Sequence, residues 1–140
     1  MPAHADAEWQ GELKTGSGTF NAGDSLHGEY SFKSRFEDGP GANPEQLIGA
    51  ALAACFSMAL SAALAEAGTP VESVKTDATV TLRQLDGMPT ITTIELETVG
   101  RVPGIDAATF TAAAENAKGG CIVSRALASV GEIKLAASLA

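Results

Sequence analysis

The chain has 140 residues, 9 of them Lys or Arg and 17 Asp or Glu, for a formal charge of −8. That length suits one domain spanning 1–140 with a real core, and 45% apolar residues mean that it folds. The acidic balance argues against a nucleic-acid partner or docking on an anionic membrane face. Aromatic residues are only 5%, while alanine is the commonest residue and there are 15 glycines, so the core must use small side chains in close contact. The start, Met1 to Trp9, lacks the basic and apolar pattern of a signal peptide, which leaves a reducing cytoplasm as the expected compartment. Two cysteines, Cys55 and Cys121, form neither a secreted disulfide framework nor a zinc site.

Trp9 to Thr15 and Thr19 to Asn21 read as strands around a Gly16-Ser17-Gly18 turn. Tyr30 and Phe32 alternate with Ser31 and Lys33, which predicts a third strand, and Glu37 to Gly41 breaks regular structure. Asn43-Pro44-Glu45 opens a helix with a cap, a first-position proline and an acid that complements the dipole. This helix runs to about Ala67, where Gly68 and Pro70 end it. Being apolar on all sides, it is expected to be surrounded by protein. The run is mostly Ala, Gly and Ser without basic anchors, which argues against a membrane span.

Ala78, Val80 and Leu82 predict a half-buried strand, turned by Asp86-Gly87 into a second that carries Ile94, Leu96 and Thr98. Pro103-Gly104 closes the pair. Asp106 caps a helix to about Ala117, with Lys118 and Gly119 as stop signals. Cys121 begins a short helix from Ile122 to Ser129, and Ile133, Leu135 and Ala137 alternate in a last strand. The fold class is α+β, with antiparallel strand groups around one long, central, buried helix.

By itself, Cys55 reads as a small core hydrophobe in an Ala-rich helix. Cys121, at a helix start after Gly119-Gly120, is either a buried cap or a thiol whose charged form is favoured there. His4 and His27 show no metal-ligand spacing, no CxxC is present, and no glycine-rich run matches a phosphate cradle. Arg35 and Glu45 flank the Gly/Pro loop. Taken alone they are a surface pair, but Arg also offers a permanent charge that a carboxylate can hold bidentately.

The blocks Ser34-Arg35-Phe36-Glu37, Asn43-Pro44-Glu45-Gln46-Leu47-Ile48-Gly49-Ala50-Ala51, Ala53-Ala54-Cys55-Phe56-Ser57-Met58-Ala59-Leu60, Val102 to Asp106 and Ala117 to Ser124 resemble the osmotically inducible protein C family, related to the organic hydroperoxide resistance proteins. The resemblance covers essentially the whole chain. It implies an intertwined homodimer with sites at the subunit interface. It also implies a thiol peroxidase acting on organic hydroperoxides and, less efficiently, on hydrogen peroxide. Cys55 then matches the peroxidatic thiolate, which becomes a sulfenic acid. Cys121 matches the cysteine that resolves it as an intramolecular disulfide. Arg35 matches the thiolate-stabilising arginine and Glu45 the acid that orients it. No metal or organic cofactor is implied, and the suggested electron donor is an external dithiol such as a lipoylated protein. Two positions depart from the family pattern: Ile122 stands where proline often follows the second cysteine, and Glu45-Gln46 replaces a Glu-Glu pair. The rival reading is a non-catalytic dimeric ligand- or protein-binding domain on the same fold.

Physical chemistry adds two expectations. An apolar helix surface disfavours a thiolate by desolvation, so a peroxidatic cysteine there needs a cation. Glu45 and Cys55 are ten residues apart on one predicted helix, roughly 15 Å of rise. A site using both is therefore easier to build from two antiparallel copies of the helix, crossing near Gly49 to Ala54, than from one chain.

Overall fold

The structure, a computed structural model, describes all residues 1–140. The chain packs as two compact units, Met1–Leu47 and Ile48–Ala140.

The first unit holds strands β1 (Ala5–Gln10), β2 (Ser17–Ala22) and β3 (Leu26–Tyr30), an antiparallel sheet in the order β1-β2-β3. The first strand starts earlier than the sequence suggests and stops at Gly11, whose φ of +89° breaks the extended run. Gly18 pairs with Trp9 and Tyr30, and their rings lie over it 5.4 Å apart; a Cβ there would meet Tyr30 at 2.5 Å and Trp9 at 2.8 Å.

The predicted third strand is displaced: β3 ends at Tyr30, and Phe32–Phe36 is a helical turn, α1. A capping box decides this. Ser31 Oγ accepts from the Ser34 N–H at 3.1 Å, and Ser34 Oγ accepts from the Ser31 N–H at 2.8 Å. The long helix α2 (Pro44–Glu66) begins as predicted, with Asn43 Oδ1 accepting from the Gln46 N–H at 2.8 Å.

The second unit contains most of α2. It also holds β4 (Ser73–Leu85), β5 (Met88–Arg101), α3 (Ala107–Gly120), α4 (Ile122–Ala126) and β6 (Glu132–Leu139). Gly68, at φ +83°, terminates α2, and the Thr69 N–H and hydroxyl both reach the Leu64 carbonyl. Asp106 caps α3 by accepting from the Thr109 N–H at 2.7 Å, which holds its carboxyl below the usual range. That helix runs through Lys118 and Gly119 to Gly120, past the predicted stop.

The sheet order is β4-β5-β6, and here the expectation of purely antiparallel strands fails: β5 and β6 run parallel. The segment between them carries α3 and α4, long enough for the crossover that a parallel pair requires. Leu52, Phe56, Leu60 and Leu64 form one stripe of α2, at most 2% exposed. They pack in one core with Ile94 and Leu96 of β5 and Phe110, Ala114 and Ala117 of α3. Gly100 lets the Phe110 ring lie on β5, since a Cβ there would meet Phe110 Cε2 at 2.5 Å.

The helix is not buried on all sides within the chain. Only 28% of its most apolar 18-residue stretch is covered, and by length and composition alone α2 could cross a membrane. Met58 is 74% exposed, and Ala50, Ala51 and Ala54 are bare. Gly49, expected at a helix–helix crossing, is instead buried against its own sheet, where a Cβ would meet Val80 Cγ2 at 3.3 Å.

Candidate active site

The four candidate residues fall into two clusters, one in each unit. In the first unit α1 carries Arg35, and the first turn of α2 carries Glu45. The guanidinium meets the carboxylate side-on: Nη2 donates to Oε1 at 2.7 Å, and Nε donates to Oε1 at 3.2 Å and Oε2 at 3.3 Å. Glu45 is 8% exposed, whereas the Arg35 side chain keeps 39% of its surface. The carboxylate is thus a buried anchor, and the arginine presents Nη1 beyond it. The Phe36 ring lies 5.2 Å from the guanidinium carbon.

Short polar side chains fix this pair. Ser34 Oγ donates to the Ala42 carbonyl at 2.7 Å, and Asn43 Nδ2 donates to the Ser34 carbonyl at 3.0 Å. The loop from 37 to 42 is therefore tied at both ends, and α1 is latched to the start of α2. Gly41, at φ +107°, makes the return, and a Cβ there would meet the Glu29 carbonyl oxygen at 2.9 Å. Ser34 does not stand out in the sequence as a site residue. Its signal was the Ser31-x-x-Ser34 spacing, hidden by a stretch that also alternates like a strand.

In the second unit, Cys55 lies in the middle of α2, half-buried against the core, and Cys121 is 2% exposed at the junction of α3 and α4. The Cys121 N–H closes α3 by donating to the Ala117 carbonyl at 2.9 Å, and its carbonyl opens α4 by accepting from Arg125 at 3.0 Å. Its φ of −60° and ψ of 135° are the extended values that a following proline imposes, reached here with Ile122 in that place. Both thiols are free, and Cys55 packs against the hydrophobic core that contains Cys121. Burial pushes the Cys121 thiol up. The Cys55 thiol, the N–H and hydroxyl of Ser124 and the N–H of Val123 together outweigh it, so Cys121 titrates below the ordinary cysteine value. This arrangement can do two-thiol redox chemistry: one cysteine is partly open to solvent, and the other is enclosed in the same core.

The sequence profile of the OsmC-like protein family matches residues 37–136, which include Glu45, Cys55 and Cys121. The chain belongs to the OsmC-like family. It is 48% identical to the peroxiredoxin OsmC of Escherichia coli K12 over 123 residues, 86% of each chain. The fold is shared with an OsmC-like protein from Mycoplasma pneumoniae (TM-score 0.76, 15% identity, 99% of this chain and 97% of that one). It is also shared with the organic hydroperoxide resistance protein OhrB of Bacillus subtilis (TM-score 0.69, 22% identity, 98% of each chain). At those identities the two structures speak for the fold alone.

Proposed function

We propose that this OsmC-like chain is a thiol-dependent peroxidase that reduces organic hydroperoxides, and hydrogen peroxide less efficiently, through an intramolecular Cys55–Cys121 disulfide. The peroxidase-type redox role rests on the identity to a curated peroxiredoxin. The observation that supports the two-cysteine mechanism is that two free cysteines, far apart in sequence, share one hydrophobic core, one half-buried and one buried. Cys55, the more accessible sulfur, attacks the peroxide O–O bond as a thiolate and releases an alcohol or water, becoming a sulfenic acid. Cys121 then attacks the Cys55 sulfur and expels hydroxide, closing the disulfide. An external dithiol, such as a lipoyl group, restores both thiols in a reducing cytoplasm.

Arg35 supplies the cation that the Cys55 thiolate needs beside an apolar helix, and Glu45 holds its guanidinium in one orientation. Because Glu45 and Cys55 are ten residues apart on α2, each site would combine Cys55 of one chain with Glu45 of its partner in a homodimer. The bare apolar stripe of α2 is the surface on which that second copy would lie.

Cumene hydroperoxide consumption with a dithiol donor tests the reading. Cys55→Ser should abolish it, and Cys121→Ser should permit one stoichiometric turnover. Full activity of Cys55→Ser would overturn the assignment, as would mass spectrometry that finds no intrachain disulfide after oxidation.

A further inference from the structure

One polar group beside the cysteines has no role in the scheme above. Ser124 is 8% exposed, and its Oγ is buried without a hydrogen-bond partner. An orphaned hydroxyl in a core is costly, so a partner is to be looked for in another state of the protein. Ser124 lies one helical turn after Cys121, which occupies the N-cap of α4. An N-cap side chain offers an acceptor to the group three residues on. The neutral thiol makes no such capping bond, although Val123 and Ser124 stand at the second and third positions of α4, whose N–H groups an N-cap acceptor serves.

We propose that Ser124 is a positioning residue for the second cysteine: its hydroxyl donates a hydrogen bond to the Cys121 sulfur whenever that sulfur is a thiolate. The proposal rests on the two-cysteine reading above. It assigns work to Ser124 at two steps. In closure, the thiolate of Cys121 attacks the sulfenic sulfur of Cys55, the S–S bond forms, and the hydroxide that leaves takes a proton to become water. In recharging, the thiolate of an incoming dithiol attacks the disulfide. Cys121 is enclosed and Cys55 is half-open, so the attack falls on the Cys55 sulfur, and the electron pair of the broken S–S bond leaves on Cys121. The second thiol of the donor then displaces Cys55 from the mixed disulfide. In both steps Cys121 bears the negative charge while it is buried, and the Ser124 hydroxyl and the two N–H groups receive it. A charged sulfur turns the orphaned hydroxyl into a satisfied donor.

Three variants separate the hydroxyl from its volume. Ser124→Thr keeps the hydroxyl, Ser124→Val has the same shape as threonine without it, and Ser124→Ala leaves space. The first readout is the pH profile of Cys121 alkylation by iodoacetamide in a Cys55→Ser background. Valine and alanine should move it upward by about one pH unit, about tenfold in thiolate fraction, whereas threonine stays near the parent. The second readout is stopped-flow closure of the disulfide after one equivalent of cumene hydroperoxide. Closure should slow by about fivefold to tenfold in the valine and alanine variants relative to the first oxidation of Cys55. Identical profiles for the threonine and valine variants would overturn the role of Ser124. If the unmodified protein consumed no peroxide, the peroxidase reading would fail by itself, and the alkylation profile would still decide whether Ser124 acts on Cys121.

Discussion

Glu45→Gln is the sharpest test of how the arginine is held. The substitution keeps the size of the side chain but replaces one carboxylate oxygen by an amide NH2, a donor facing the guanidinium donors. The present contacts are 2.7, 3.2 and 3.3 Å, around a carboxylate that is 8% exposed. Hydrogen bonds to charged groups contribute about 1.5–3 kcal/mol when buried, and exposed ion pairs about 0–1 kcal/mol. Arg35, with 39% of its side chain open to water, sits between those limits, so losing its holder costs about 1–2 kcal/mol of orientation. If that orientation is used in the first oxidation, the second-order rate of reduced enzyme with cumene hydroperoxide falls by about 5-fold to 30-fold. Stopped-flow kinetics on pre-reduced protein measures this step before any reductant is involved. The freed arginine can be solvated and the burial of a charge is relieved, so the unfolding midpoint should move little. Arg35→Lys should show a similar loss, because an ammonium cannot fill the side-on contact. A Glu45→Gln enzyme within twofold of the parent rate would refute the claim that the carboxylate acts by orienting Arg35.

The two-chain site predicts complementation. A co-expressed, doubly tagged heterodimer of Cys55→Ser and Glu45→Ala chains would carry one intact and one doubly damaged site, and should show about half the parent activity; activity no higher than the Glu45→Ala homodimer would place each site within a single chain. Gly100→Ala drives a methyl into the Phe110 ring, at 2.5 Å in the present geometry, and should destabilise the fold by about 1–3 kcal/mol. A urea-unfolding midpoint equal to that of the parent would contradict that account of the β5–α3 contact.

Where local chemistry decides, the sequence was readable. Asn43-Pro44-Glu45, Gly68 and Asp106 start or stop helices through capping bonds that involve their near neighbours. Two features needed more than neighbours. Residues 31–33 alternate like a strand, yet the reciprocal bonds of Ser31 and Ser34 turn them into α1, and that turn carries Arg35. The parallel placement of β6 depends on where a two-helix crossover sets the chain down, and periodicity within the strand carries no sign of it. The candidate site shows the same division. Arg35, Glu45, Cys55 and Cys121 stood out by residue type and motif. Ser124 did not, because its signal is an unsatisfied hydroxyl, which exists only once the core is packed.

The bare stripe of α2 poses a choice between lipid and protein, which composition alone does not make. A helix that left the sheet for a bilayer would keep Leu52, Phe56, Leu60 and Leu64 out of water, so those four side chains do not discriminate. Their partners do. Ile94 and Leu96 are fully or almost fully buried in the core that the helix shares with β5, and its departure would open them to water, at about 1.5–3 kcal/mol each. The hydroxyl chain would break as well: Ser57 donates to Thr76 at 2.8 Å, and Thr76 and Thr98 share a bond of 2.9 Å, with Thr98 1% exposed. The helix is therefore held to its sheet by one face, and only Ala50, Ala51, Ala54, Met58 and their neighbours remain to be covered. Side chains that small bring a partner close to the backbone, the contact that a second protein helix can make and disordered acyl chains cannot exploit. On this argument the small-residue composition serves two contacts of one helix: Gly49 against β4 in the same chain, and the alanines against the second copy proposed to complete each site.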